Sequence, residues 1–131
     1  MAEVIITEID VEGLTARSLC VLKTVVKLAE IRKGRRTHSI SVKEFCDLAG
    51  LPNLAFEDMK VLLDEARRAV ASIEIVDTSR PSQEHFKSWA VFDEIMLVGQ
   101  RISFRICRLT WDERLLARLQ SLSPHLSKRI K

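Results

Sequence analysis

Positively charged side chains that could neutralise phosphate occur in two parts of the 131-residue chain. Residues 1–100 hold 13 basic and 16 acidic side chains, whereas residues 101–131 hold 8 basic and only 2 acidic ones. A second basic cluster surrounds Gly34 and consists of Arg32, Lys33, Arg35 and Arg36. Lys and Arg supply the sequence-independent part of nucleic-acid affinity when they neutralise phosphates. Both regions could bind a nucleic-acid backbone or be a solvated loop and tail, and the sequence leaves the two interpretations open.

Motifs for catalysis and for metal binding do not occur in the sequence. It contains no Gly-rich phosphate loop, no G-x-S-x-G elbow and no H-E-x-x-H helix. Cys20, Cys46 and Cys107 are odd in number and widely separated within apolar patterns, so we expect reduced thiols. The three histidines are equally scattered. We therefore expect no enzymatic activity, no metal, no cofactor and no small-molecule substrate.

Length and composition favour one globular domain over residues 1–131. The hydrophobic content of 47% and the charged content of 30% are ordinary for a soluble protein. No apolar run approaches the roughly 20 residues that span a bilayer. The first ten residues carry acidic side chains where a signal peptide would carry positive ones. We expect a cytoplasmic protein that does not enter a membrane.

The centre of the chain, residues 39–77, predicts a short strand, two helices and a further strand. Ser41 and Glu44 have the spacing of a capping box, so a helix should begin at Val42, and Gly50 favours its end. A longer amphipathic helix should follow Asn53. Its predicted core positions recur every three or four residues, namely Phe56, Met59, Leu62, Leu63, Ala66, Ala69, Val70 and Ile73.

The flanking segments complete an α+β pattern. An extended arm over residues 1–13 precedes a helix that begins near Leu14 and ends near Gly34. After a predicted loop over residues 77–87, a strand from Trp89 to Val98 and a strand from Arg101 to Ile106 should form a hairpin around Gly99-Gln100. Ile102, Phe104 and Ile106 should face the core, and Arg101 and Arg105 should face outward. Thr110 and Glu113 predict a last helix from Trp111, followed by a basic tail over residues 122–131.

This order of elements resembles the first winged-helix domain of the plasmid replication initiator family, the Rep proteins that bind repeated origin sites (iterons). The resemblance covers about residues 14 to 120. The segments that carry it are Leu14-Thr15-Ala16-Arg17-Ser18-Leu19, Ile40-Ser41-Val42-Lys43-Glu44-Phe45, Met59-Lys60 through Arg68, Lys87-Ser88-Trp89-Ala90-Val91-Phe92 and Ile102-Ser103-Phe104-Arg105-Ile106. It implies a winged helix with three core helices, a β-hairpin wing and an additional C-terminal helix. It also implies dimerisation and assistance in DNA contact, while a second domain, which we do not find in this chain, reads the site.

Contact with double-stranded origin DNA is expected mainly through phosphates rather than through bases. A recognition helix presents its N-terminal residues to base edges, but here that end carries Glu57 and Asp58, which repel DNA. Arg67 and Arg68 should pair with Asp64 or Glu65 or with a partner. The expected phosphate ligands are therefore Arg32, Lys33, Arg35, Arg36, Arg101, Arg105, Lys128 and Arg129.

A homodimer is expected because the outer strand of a hairpin exposes unpaired backbone groups that a second copy can pair with. Val61, Trp89 and Arg67 are the candidate interface residues, although Trp89 is also a natural core residue. Two alternatives remain: a small winged-helix transcription regulator that reads its operator with the longer helix, and a protein-interaction module without DNA binding.

Overall fold

The structure is a computed structural model that describes residues 3–32, 37–77, 84–111 and 113–121. Within these residues the chain forms four α-helices and two small antiparallel sheets, which confirms the predicted α+β class. The elements in chain order are β1 Glu3–Asp10, α1 Ala16–Ile31, β2 His38–Ser41, α2 Val42–Ala49, α3 Phe56–Ala66, β3 Val70–Asp77, β4 His85–Ala90, β5 Phe92–Val98, β6 Arg101–Ile106, a 3₁₀ helix Arg108–Trp111 and α4 Glu113–Ser121.

Two sheets of three strands flank the helices. The first has the strand order β1-β3-β4 and the second has the order β2-β6-β5. Helix α1 supplies the centre of the core, because Val21, Leu22, Val25, Val26 and Ala29 are fully buried. The N-terminal segment was predicted as an extended arm, and in the structure β1 is an edge strand of the first sheet. No helix among the described residues is long and apolar enough to cross a membrane.

The starts of the first two helices follow the predicted caps. The Thr15 hydroxyl accepts a hydrogen bond from the backbone N–H of Ser18, and the Ser18 hydroxyl accepts one from the backbone N–H of Thr15. The Ser41 hydroxyl accepts from the backbone N–H of Glu44, so α2 begins at Val42 as predicted. Each cap satisfies a backbone donor that the helix itself leaves unpaired.

The predicted extension of the longer helix to Ile73 is wrong. Helix α3 ends at Ala66, Arg67 is its C-cap residue, and β3 begins at Val70. β3 is the central strand of the first sheet and pairs with β1 on one side and β4 on the other. Its β-branched residues favour an extended backbone. The apolar spacing gave the wrong end for this helix because Ala69, Val70 and Ile73 continue its period of three or four residues, although they lie beyond Ala66.

The predicted single strand from Trp89 to Val98 is also wrong. The strand is interrupted at the buried Val91, which separates β4 from β5. The backbone N–H of Val91 donates a hydrogen bond to the Ala69 carbonyl, and the Val91 carbonyl accepts one from the backbone N–H of Cys107. β4 pairs with β3 in the first sheet, whereas β5 pairs with β6 in the second. Trp89 therefore lies on β4 and does not open the hairpin. β4 also occupies the end of the predicted loop over residues 77–87.

The last helix begins later than predicted. Residues Arg108–Trp111 form a 3₁₀ helix, and α4 begins at Glu113. Thr110 is buried, and its hydroxyl accepts a hydrogen bond from the indole N–H of Trp89 over 3.1 Å. Leu115 and Leu119 of α4 are buried, and Leu116 is partly buried. The predicted basic tail, residues 122–131, lies outside the described residues.

Candidate nucleic-acid interface

One face of the second sheet carries arginines and serines toward solvent. β6 alternates, so that Ile102, Phe104 and Ile106 are buried while Arg101, Ser103 and Arg105 lie on the opposite face, as predicted. Ser39 on β2 lies opposite Ser103 and therefore shares that face. We call Ser39, Arg101, Ser103 and Arg105 the serine–arginine face. Arg and Ser side chains are common ligands of phosphate oxygens, so this face has the chemistry for a nucleic-acid backbone.

Arg101 is the more accessible of the two arginines. Its side chain is exposed, and its Nε donates to the Ser39 hydroxyl over 2.9 Å. This bond crosses from β6 to β2 and orients the guanidinium while leaving its remaining donors for other ligands. Within the described residues Arg101 has no carboxylate partner. Its positive charge is therefore available to an incoming phosphate.

Arg105 is partly neutralised by neighbouring carboxylates. Its side chain is 31% exposed, and its Nε lies 3.8 Å from Oδ2 of Asp93. Asp93 occupies the irregularity in the β5–β6 register, where Arg105 pairs with Glu94. This end of the serine–arginine face consequently has less net positive charge than the end at Arg101. We infer that Arg101 is the stronger of the two phosphate ligands.

The N-terminal end of α3 has the wrong charge for reading bases, as the sequence predicted. Glu57 and Asp58 lie exposed in the first turn, and no side chain caps that turn. The predicted pairing at the other end is confirmed, because Asp64 accepts from Arg67 over 2.7 Å and from Arg68 over 3.0 Å. The hydrogen bond from Arg67 lowers the pKa of Asp64 below its ordinary value. The positive charges at this end are offset locally.

Most of the other predicted phosphate ligands lie outside the residues that the structure describes. Arg32 is the exposed C-cap residue of α1, with its backbone N–H donating to the Leu28 carbonyl. Arg32 therefore directly precedes the other residues of the predicted basic loop. The remaining candidates, Lys33, Arg35, Arg36, Lys128 and Arg129, lie outside the described residues.

The three candidate dimer residues lie in different parts of the molecule. Val61 is 55% exposed on α3. Arg67 lies six positions further along, which places it about 120° away around the helix axis, and it lines a cleft of about 190 Å³ between α3 and β5. Trp89 is half-buried on β4 in the first sheet. Arg67 is thus the member of this set that lines a cleft together with residues of the edge strand β5.

Ser39 and Ser103 are members of the face that sequence reasoning did not select. A signal was present, since Ser39 and Ser41 alternate with the apolar Ile40 in a short strand. Which strand would lie beside β2 could not be read from that pattern, so the contact with Arg101 went unpredicted. No group of three or more potential metal ligands occurs among the described residues.

Sequence comparison finds no relative: no family model matches the chain, and no curated protein matches it. A structural comparison finds a similar fold in a crystal structure of selenomethionine derivatives of domain 2 and domain 3 of RctB. The chain is similar in fold to that structure. The TM-score is 0.54 at 11% sequence identity, and the match covers 97% of this chain. The chain spans 59% of the length of the RctB structure.

Proposed function

We propose that this chain is a DNA-associated winged-helix domain of the replication-initiator type. The fold likeness to domains of RctB, a replication initiator, supports a role at replication DNA. The topology adds support, because a winged helix places its first strand beside the last strand of its wing. Here β2 pairs with β6, and β6 pairs with β5 across a turn in which Gly99 has a φ of 59°.

The observation that carries the DNA proposal is the arrangement of Arg101. It is exposed, oriented by Ser39 and without a carboxylate partner among the described residues. Such an arginine positions a DNA backbone without reading its sequence. The acidic first turn of α3 favours this mode over base reading by that helix, which is the mode of a winged-helix transcription regulator. Non-enzymatic binding of duplex DNA is the proposed activity.

Binding to labelled duplex DNA tests the proposal directly. Fluorescence anisotropy should be measured with a duplex of tandem repeats and with a duplex of the same composition in scrambled order, each over a series of salt concentrations. Phosphate contacts predict that both duplexes bind and that affinity falls steeply as salt rises. An affinity that is absent even at low salt refutes the DNA proposal and favours a protein-interaction module.

The proposed homodimer forms along β5. Within the described residues β5 is one of the two outer strands of the second sheet, and its Met96 and Val98 are exposed. An unpaired edge of this kind can be extended by the same strand of a second copy. Sedimentation of Val98→Lys should show a lower mass than the parent, because a lysine on an exposed edge strand opposes extension of the sheet by another strand. The matched variant Leu109→Lys alters another exposed apolar residue and should leave the mass unchanged.

A further inference from the structure

A second cleft lies on the outer side of α1, away from both the serine–arginine face and β5. It has a volume of about 350 Å³ and lies among three helices, with α1 as its floor. Leu48 of α2 forms one wall, and Gln120 of α4 forms the other. The residues that line it are Lys23, Thr24, Lys27, Leu28, Ile31, Leu48 and Gln120. Neither the proposed DNA contact nor the proposed dimer uses this cleft.

Two large apolar side chains at the cleft face solvent. Ile31 is 71% exposed at the end of α1, and Leu48 is 60% exposed on α2. Both belong to helices whose core side chains, such as those of Val25, Ala29 and Phe45, are fully buried on another side of the helix. Apolar side chains that flank a cleft in this way are suited to hold apolar groups of a partner.

The charged side chains that line the cleft are all basic. Its lining includes two lysines and no carboxylate. The Nζ of Lys23 donates to the Gln120 carbonyl over 3.4 Å, which holds that ammonium against the α4 wall. Lys27 is exposed, and no described carboxylate lies within ion-pair distance of it. A partner with acidic side chains would complement this arrangement.

The spacing of the two lysines indicates the shape of the partner. Lys23 and Lys27 are four positions apart on α1, so they lie one above the other along the same side of the helix. A helix docked alongside α1 would present carboxylates with the same spacing while its apolar side chains contact Ile31 and Leu48. Helices that bind in grooves use such regularly spaced apolar anchors.

We propose that this cleft is a docking site for an acidic amphipathic helix of a partner protein. The apolar face of that helix contacts Leu28, Ile31 and Leu48, and its carboxylates pair with Lys23 and Lys27. DNA is disfavoured as the occupant because phosphate gains nothing from the exposed apolar pair. The docked protein would occupy a surface separate from the serine–arginine face, so DNA and partner could be bound together.

The test uses the full chain and synthetic helical peptides as probes. One peptide carries Leu at helical positions i, i+3, i+4 and i+7 with flanking Glu residues, and a matched peptide replaces every Glu by Lys. Calorimetric titration should show binding of the acidic peptide only. Methyl NMR signals of Ile31 and Leu48 should shift during that titration. Equal binding of the two peptides, or no binding of the acidic one, overturns the proposal.

Protein variants locate the site without relying on buried residues. Lys27→Glu and Leu48→Asp should each weaken the acidic peptide about tenfold, and Lys27→Glu should improve binding of the Lys-bearing peptide. Lys43→Glu makes the same charge change on an exposed residue of α2 outside the cleft and should have no effect. If Leu48→Asp instead lowers the mass of the free protein, the cleft binds a second copy. If Lys27→Glu weakens DNA without affecting the peptide, the occupant is nucleic acid. Either result refutes the partner helix.

Discussion

The indole N–H of Trp89 donates a hydrogen bond to the hydroxyl of Thr110, with 3.1 Å between nitrogen and oxygen. The bond joins β4 of the first sheet to the 3₁₀ helix that precedes α4, across 21 positions of sequence. Thr110 is buried and Trp89 is half-buried, so the bond is shielded from water. Trp89 thus holds two parts of the fold together, which is a role independent of any dimer.

A double-mutant cycle should measure this link. Trp89→Phe removes the donor and Thr110→Val removes the acceptor while keeping its shape. We expect a coupling of about 1 kcal/mol in the free energy of unfolding, the usual net value of one such hydrogen bond. Urea denaturation of the parent, the two single variants and the double variant measures this coupling free energy. Strict additivity would show that the bond contributes nothing.

Gly50 provides a test of backbone conformation alone. It ends α2 with a φ of +71°, and a Cβ built there would meet no atom within 4 Å. Gly50→Ala should therefore cost about 1 kcal/mol of stability through the left-handed backbone and not through a clash. Gly50→Asn is the matched variant and should cost less, because Asn tolerates this conformation. Equal midpoints of thermal unfolding for the two variants would contradict this explanation.

The free energy of unfolding at low pH should depend in part on the ionisation of Asp64. Its pKa is lowered chiefly by the hydrogen bond from Arg67 and less by Arg68. A carboxyl group with a lowered folded-state pKa stabilises the fold above its unfolded pKa, and the contribution is lost as pH falls through the folded value. Arg67→Ala should raise the pKa of Asp64 more than Arg68→Ala does, as measured by carbon NMR of the carboxyl group. Because the group is exposed, the effect on stability should be small.

The reverse ordering of those two arginine variants would contradict the assigned cause. An unchanged pKa of Asp64 in both would show that neither pair forms in solution. If neither pair forms, the positive charge at the end of α3 is free, and the argument against DNA contact by this helix loses one of its two supports. The other support, the acidic pair Glu57 and Asp58, would remain.

Local signals in the sequence predicted the elements whose causes are local. Ser41 and Gly50 set the bounds of α2, and the alternation of Ile102, Phe104 and Ile106 set the faces of β6. The predicted bounds were wrong where pairing between strands that are distant in sequence determines the structure. The strand after α3 was predicted, but its start at Val70 was not, because pairing with β1 and β4 is not visible in the apolar spacing of β3 itself.

The candidate site was predictable to the same extent. The outward direction of Arg101 follows from the two-residue period of a strand. Its contact with Ser39 joins residues 62 positions apart and depends on the pairing of β2 with β6, which no local pattern specifies. The partial neutralisation of Arg105 depends on the register irregularity at Asp93. The cleft beside α1 depends on three helices meeting, so it too appeared only in the structure.

The most direct test of the DNA account is the salt dependence of duplex binding by Arg101→Ala. If Arg101 contacts one phosphate, the slope of log affinity against log salt should become shallower by about 0.9, and affinity should fall equally for all sequences. Lys60→Ala on α3 is the comparison and should leave the preference among sequences unchanged. A slope that Arg101→Ala does not alter, or a loss of sequence preference in Lys60→Ala, would contradict phosphate binding by the serine–arginine face.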